Sequence, residues 1–368
     1  MKIAWKPLHY NFNVASSRLR SFLPCKILKS AGWDCEIYNP KHQNNYQLVI
    51  FQKAYDPPDL ILAEKLKNQG TKIILDLCDN HFYNPYQIPE FVAKEKRLRK
   101  MIELANLVTV ATPALGKLIH GKANLVIDDV VDPFPETLQG KIRSKIASWK
   151  NNQQYRFNVL QKSFSDAISP SPLPFTPTSA RSSFKVVWFG SSQLAKIYSQ
   201  SGIKDAPAGL DSIKKVLPAL EKINQEIPVQ LTIISNSQKR FRQATKNTNF
   251  SCIYYEWNLA TFPFLMQQQD VCIIPIEFNN FSICKTSNRL ITALNQGVAV
   301  VADKIPSYEE FGEFVLFADW ENGLGSYADN PALRAQHVHR GKEYIIGKYT
   351  QDRVVEQWSN AFKQVLAG

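Results

Sequence analysis

C-K-T-S-N-R-L-I-T-A-L-N-Q-G-V-A-V-V-A-D, residues 284–303, is the stretch whose reading decides the fold. Thr286, Ser287 and Asn288 are small polar residues of the kind that start a helix. Leu290, Ile291, Ala293 and Leu294 follow at the spacing of one buried helix face, and Gly297 is placed to end it. Val298-Ala-Val-Val-Ala302 then reads as a strand buried on both sides, as in a parallel sheet. Such a helix presents its N-terminus at the sheet edge where open α/β folds bind ligands. Free N–H groups and the helix dipole favour an anion there, and Lys285 and Arg289 add two cations. The expectation is a diphosphate seat built from Lys285, Thr286, Ser287, Asn288 and Arg289. A capped helix with a solvated basic face is the plainer alternative.

The chain around this stretch has 368 residues, enough for two α/β domains with separate cores. Apolar content of 44% and charged content of 21% are ordinary for a globular protein. Lys and Arg number 44 against 32 Asp and Glu, a net charge of +12 that suits anionic partners. These cations are dispersed rather than run together, so nucleic acid is not expected. No apolar run nears the length of a membrane span, and the N-terminus lacks a signal-peptide pattern. Six cysteines include no C-x-x-C pair. A reducing cytoplasmic location follows, with peripheral contact to an anionic inner membrane face left open.

In the first half, strands are expected at 2–5, 35–38, 47–51, 72–76, 107–111 and 124–128. Helices between them, at Ser16–Ala31 and Pro58–Gln69, imply a parallel sheet wound on both sides. Ser17, Arg18 and Arg20 follow the first strand, where they can reach an anionic group or form an ordinary first helical turn. Asp79 and His81 follow the fourth strand. A carboxylate and an imidazole there can orient an acceptor hydroxyl or help deprotonate it; the alternative is a polar helix cap. Asp128, Asp129 and Asp132 have no histidine nearby and the chain has no D-x-D, so they read as a strand-end turn rather than a metal site.

Residues 169–183 are dense in Pro and Ser, which favours an extended connector and places a domain boundary there. Phe184–Phe189 restarts the strand–helix rhythm, and Gly190, Ser191 and Ser192 follow at once, with Lys196 beyond. Glycine admits close backbone approach and serine offers donors to phosphate, although a tight turn has the same composition. Further strands are expected at 229–234, 253–255, 271–275 and 298–302. Trp257 and Glu277 follow two of them, as a base-stacking ring and a hydroxyl acceptor or as rim residues. The last stretch, 350–367, is an amphipathic helix of the kind that packs back across a boundary.

With S-S-R-L-R, D-L-C-D-N-H-F, V-V-W-F-G-S-S and K-T-S-N-R-L-I-T-A-L-N-Q-G-V-A-V-V-A-D in place, the chain resembles the GT-B glycosyltransferases of the "glycosyl transferases group 1" family. The resemblance implies two doubly wound, Rossmann-like domains facing across a cleft. Residues 1–135 would be the acceptor side, 136–183 a linker, 184–349 the nucleotide-sugar domain, and 350–368 a return to the first domain. It implies a UDP- or GDP-sugar donor, a hydroxyl acceptor such as a glycan or lipid-linked glycan, and no metal. Gly190, Ser191, Lys196, Ser287, Asn288 and Arg289 would meet the donor diphosphate. Transfer with retention, in surface polysaccharide or glycolipid synthesis, is the implied activity. A sugar-nucleotide epimerase and a non-catalytic binding module of the same fold are the rivals. Thr292 stands where many relatives carry a ribose-binding glutamate.

Overall fold

A computed structural model describes residues 1–133, 183–192, 209–317 and 319–367. Lys196 and all of the expected linker except Ser183 lie outside the described residues.

Six parallel strands form the first sheet: β1 (Lys2–Pro7), β2 (Asp34–Ile37), β3 (Tyr46–Gln52), β4 (Lys72–Leu77), β5 (Leu107–Val110) and β6 (Asn124–Val126). Their order is β2-β1-β3-β4-β5-β6. The second sheet holds β7 (Phe184–Phe189), β8 (Val229–Ser235), β9 (Ser251–Glu256), β10 (Val271–Ile274), β11 (Ala299–Ala302) and β12 (Leu316–Phe317). It too is parallel, in the order β12-β11-β10-β7-β8-β9. Each sheet reverses its direction of growth once, between β1 and β3 and between β7 and β10. Ligand crevices of open α/β sheets open at the carboxyl ends of such strand pairs.

Alternation along the strands supplies both faces. Ile3, Trp5, Leu48 and Ile50 enter one core while Ala4, Val49 and Phe51 enter the other, all fully buried. The second sheet divides Val186 and Trp188 from Val187 and Phe189 in the same way. The C-terminal helix Gln351–Ala367 crosses back as expected. Its Trp358 and Phe362 rings lie 5.4 Å and 5.9 Å from the Trp5 ring, and Arg353 Nε donates to Asp128 at 2.7 Å.

The expected helix at Ser16–Ala31 is interrupted. It runs as Ala15–Ser17, a π-helical turn Arg18–Phe22, and Leu23–Ser30. Pro24 has no N–H to offer the preceding turn, which is one cause of such a break. In the second domain a 3-10 stretch, Gly209–Lys215, is followed by the helix Leu217–Ile223, restarting where Pro218 suits a first turn. Among the described residues no helix is long and apolar enough to cross a membrane.

Candidate donor and acceptor cleft

The carboxyl ends of the two sheets face one another across a cavity of about 460 Å³. Both switch points contribute to it. Ser16, Leu19 and Arg20 come from the segment after β1, and Lys53 follows β3. From the second domain come Gly190 and Ser191 after β7, and Pro275, Ile276 and Glu277 after β10. Lys285, Thr286, Asn288 and Arg289 close the same wall, so Gly190 and Asn288 share one side of their domain.

Arg289 leaves the first turn of the helix Asn288–Asn295. Its guanidinium carbon lies 5.2 Å from the Trp188 ring and 5.4 Å from the Phe189 ring. Nε and Nη2 are buried, with no hydrogen-bond partner among the described residues. Burial pulls the guanidinium pKa below its ordinary value, and the nearby Tyr308 and Cys272 offset this only in part. The Tyr308 phenol is itself pushed up to about 12 by burial. An unpaired, desolvated cation at a cavity wall is a seat for an anion. Ser287 makes no side-chain capping bond, which leaves the first-turn N–H groups free of a side-chain cap. At Gly190, with φ +151°, an added Cβ would meet the Trp188 ring at 3.3 Å and stand 3.7 Å from Arg289 Cζ. Glycine therefore keeps the approach to the guanidinium open.

The neighbouring polar residues hold the two domains together. Lys285 ion-pairs with Asp79 of the first domain, and its Nζ lies 4.2 Å from the centre of the Phe281 ring. Thr286 Oγ1 donates to Asp129 Oδ2 at 2.9 Å, and Thr112 Oγ1 donates to the Cys284 carbonyl at 3.0 Å. Cys284 itself is buried in a core of the first domain. Thr292 Oγ1 donates to Asn288 Oδ1 at 3.1 Å and so orients that side chain.

Asp79 also pairs with Lys53. Burial alone would raise its pKa, but Lys285 and Lys53 hold it well below the usual carboxylate range. A carboxylate held so low is a weak base. His81 is displaced from the expected role. Burial, then Lys53 and Lys94, push its pKa down to about 3, its Nδ1 meets the Tyr55 hydroxyl, and it does not line the cavity.

The expected acceptor arginines are committed elsewhere. Arg18 is buried and gives Nε and Nη2 to Asp132 at 2.7 Å and 2.9 Å, outside the cavity lining. Arg20 reaches the cavity but is held by Asp76, the Ile127 carbonyl and Asp129. Ser17 is buried and does not line the cavity. The aspartates read as a turn are thus counter-ions: Asp132 for Arg18, Asp129 for Arg20 and Asp128 for Arg353. Ser192 is also buried, giving its N–H and hydroxyl to Asn236 Oδ1 at 3.0 Å and 3.1 Å. Trp257 lies 5.8 Å from the Arg18 guanidinium carbon and does not line the cavity. Ser287 lines a second cavity, of about 470 Å³, that shares Asp129, Thr286 and Asn288 with the first.

No family model matches the sequence, and no curated protein matches it. Solved structures do match the fold. A mutant of S. aureus TarM in complex with fondaparinux, α-GlcNAc-glycerol and UDP superimposes with a TM-score of 0.55 at 14% identity, covering 86% of this chain and 55% of that one. The chain thus spans about half the length of TarM. The S. aureus MnaA–UDP structure gives 0.51 at 11% identity, covering 100% of this chain and 97% of that one. An E. coli trehalose-6-phosphate structure bound with UDP-2-fluoro glucose gives 0.50 at 12% identity, covering 86% and 73%. The fold is GT-B.

In this GT-B chain three cleft residues lack a clear mark in the sequence. Lys53 adopts a left-handed backbone, φ +54°, at the end of β3, and a lysine after a strand carries no motif. Asp129 joins Arg20 to Thr286 across the domains, a contact between residues 109 and 157 positions away. Trp188 is hidden in a strand pattern that reads only as core, yet its ring packs beside Arg289.

Proposed function

We propose that the chain is a glycosyltransferase that moves a sugar from a nucleoside-diphosphate donor to a hydroxyl acceptor. The observation that carries this reading is Arg289, whose buried Nε and Nη2 have no hydrogen-bond partner among the described residues, beside a helix N-terminus in a two-domain cleft. The donor diphosphate lies between the Gly190–Ser191 turn and Lys285, Thr286, Asn288 and Arg289. Lys285, 39% exposed on its side chain, turns from Asp79 to the phosphate when donor arrives.

As the bond from the sugar to the diphosphate breaks, negative charge grows on the leaving oxygen. Arg289, Lys285 and the helix N–H groups meet that charge without a metal. The acceptor proton passes to the departing phosphate, and configuration is retained. This suits a first-domain wall where Asp79 is tied up in ion pairs with Lys53 and Lys285. UDP is the favoured nucleotide because the TarM and MnaA structures carry it. The charge of +12 suits work beside an anionic membrane face, as in glycolipid or surface polysaccharide synthesis.

Thermal denaturation with UDP, GDP, ADP and CMP tests the reading. A nucleotide at 100 times its dissociation constant adds about 2.7 kcal/mol of stability. Stabilisation by UDP or GDP supports a donor site, and no response to any nucleotide overturns it. A second reading, a non-catalytic binding module, is favoured by Thr292, which is buried against Asn288 where relatives place a ribose-binding carboxylate. Nucleotide binding without turnover of any UDP- or GDP-sugar would select that reading.

A further inference from the structure

The pairing of every lining cation on the first-domain wall bears on the acceptor. Arg20 is held by Asp76 and Asp129, and Lys53 by Asp79. Lys285 and Arg289, on the opposite wall, are taken by the diphosphate in the transferase reading, on which this inference rests. Among the described residues lining the cavity, no cation is then left for an anionic acceptor.

The mouth of the cavity is different in character. The loop after β10 carries Glu277, Phe278 and Phe281, of which Glu277 and Phe281 line the cavity. Tyr83 of the first domain faces Phe281 with ring centres 6.2 Å apart and planes tilted by 32°. The Tyr83 phenol pKa is raised by burial, then by Tyr86 and Glu277. Phe278 is 72% exposed, so its ring is free to be covered by a ligand. The loop is pinned on both sides. Asn279 Oδ1 accepts from the Phe281 and Ser282 N–H groups at 2.9 Å and 3.0 Å, and Asn80 Nδ2 donates to the Asn280 carbonyl at 2.8 Å across the domains. The exposed Phe278 ring and the half-buried Phe281 and Tyr83 rings, on a fixed frame beside a carboxylate with two acceptor oxygens, match a sugar ring: its C–H face covers an aromatic face and its hydroxyls donate to the carboxylate.

We propose that Glu277, Phe278 and Phe281, with Tyr83 opposite, form the acceptor subsite and that the acceptor is a neutral sugar residue of a glycan. The assignment moves Glu277 from the donor ribose to the acceptor. It replaces Ser17, Arg18 and Arg20 as the recognition element and excludes phosphorylated and uronic-acid acceptors.

The test applies the full chain, saturated with UDP, to an array of neutral, uronic-acid-bearing and phosphorylated oligosaccharides. Binding of neutral glycans alone is expected, weakened at least about fivefold by Phe278→Ala and by Glu277→Gln and restored by Phe278→Trp. Calorimetric affinity for UDP remains at the wild-type value in all three variants. Preference for anionic glycans, no glycan binding by UDP-loaded protein, or wild-type glycan binding by Phe278→Ala overturns the proposal and leaves the transferase reading standing. Failure of the wild-type chain to bind any nucleotide overturns the transferase reading instead.

Discussion

Lys285 of the second domain is ion-paired with Asp79 of the first, and Lys53 holds the other oxygen of the same carboxylate. One half-buried aspartate therefore ties the candidate diphosphate wall to the opposite domain. Around it, Asn80, Thr112 and Asp129 bond to the same segment of the second domain, and Cys284 is embedded in the first domain's core. The cleft is framed by covalently distant residues that hold each other in place.

Asp79→Asn should lower stability by about 2–3 kcal/mol at pH 7, less than a fully buried pair because Lys285 is partly exposed. Asp79 has a folded-state pKa below its unfolded value near ~3.9. Its contribution is thus present above about pH 4 and fades as pH falls towards the folded-state pKa. Urea unfolding of both proteins from pH 3 to 7 checks this. A gap that stays constant across that range contradicts the role assigned to the pair.

Arg289→Met should abolish nucleotide stabilisation and lower kcat/KM at least about 100-fold, as loss of a charge-stabilising donor does. The unliganded variant should be as stable as the wild type or more so, since Nε and Nη2 have no partner to lose among the described residues. Calorimetry with UDP and a thermal melt without it measure the two effects. A variant that melts earlier and still binds UDP would show that the guanidinium is structural.

Gly190→Ala should cost about 1–3 kcal/mol, because φ +151° is strained for a side chain and the new Cβ meets the Trp188 ring. Nucleotide affinity should fall as well, since that carbon stands beside Arg289. Denaturant melts and UDP titration report the pair of changes, and wild-type values in both would remove Gly190 from the site.

Arg18→Met should destabilise the chain by about 3 kcal/mol by leaving Asp132 buried and unpaired. In conditions where the variant remains folded, acceptor KM should equal that of the wild type. A raised acceptor KM with unchanged stability would return Arg18 to the acceptor site.

Most strands were legible because they are short, apolar and bounded by turn residues; each expected strand overlaps one in the structure, while the two-residue β12, Leu316–Phe317, is too short to show a pattern and was not expected. The C-terminal helix was legible from Val354, Trp358, Phe362 and Val365 on one face, all buried against the first domain. The site was legible only in part. Gly190, Asn288 and Arg289 share the cavity because their elements end at one sheet edge. Ser17, Arg18, His81, Ser192, Trp257 and Ser287 sit near that edge in sequence, but none of them lines the cavity.

Sequence alone determined two parallel α/β sheets and a basic helix start at a ligand-bearing edge. Periodicity and end signals are local, set by residues a few positions apart. Tertiary structure alone decided which charges are free. Arg18, Arg20 and Lys53 are spent on aspartates up to 114 positions away, whereas Arg289 keeps Nε and Nη2 unbonded among the described residues. Composition records that cations exceed anions, but pairing depends on which side chains the two folded domains bring within hydrogen-bond reach.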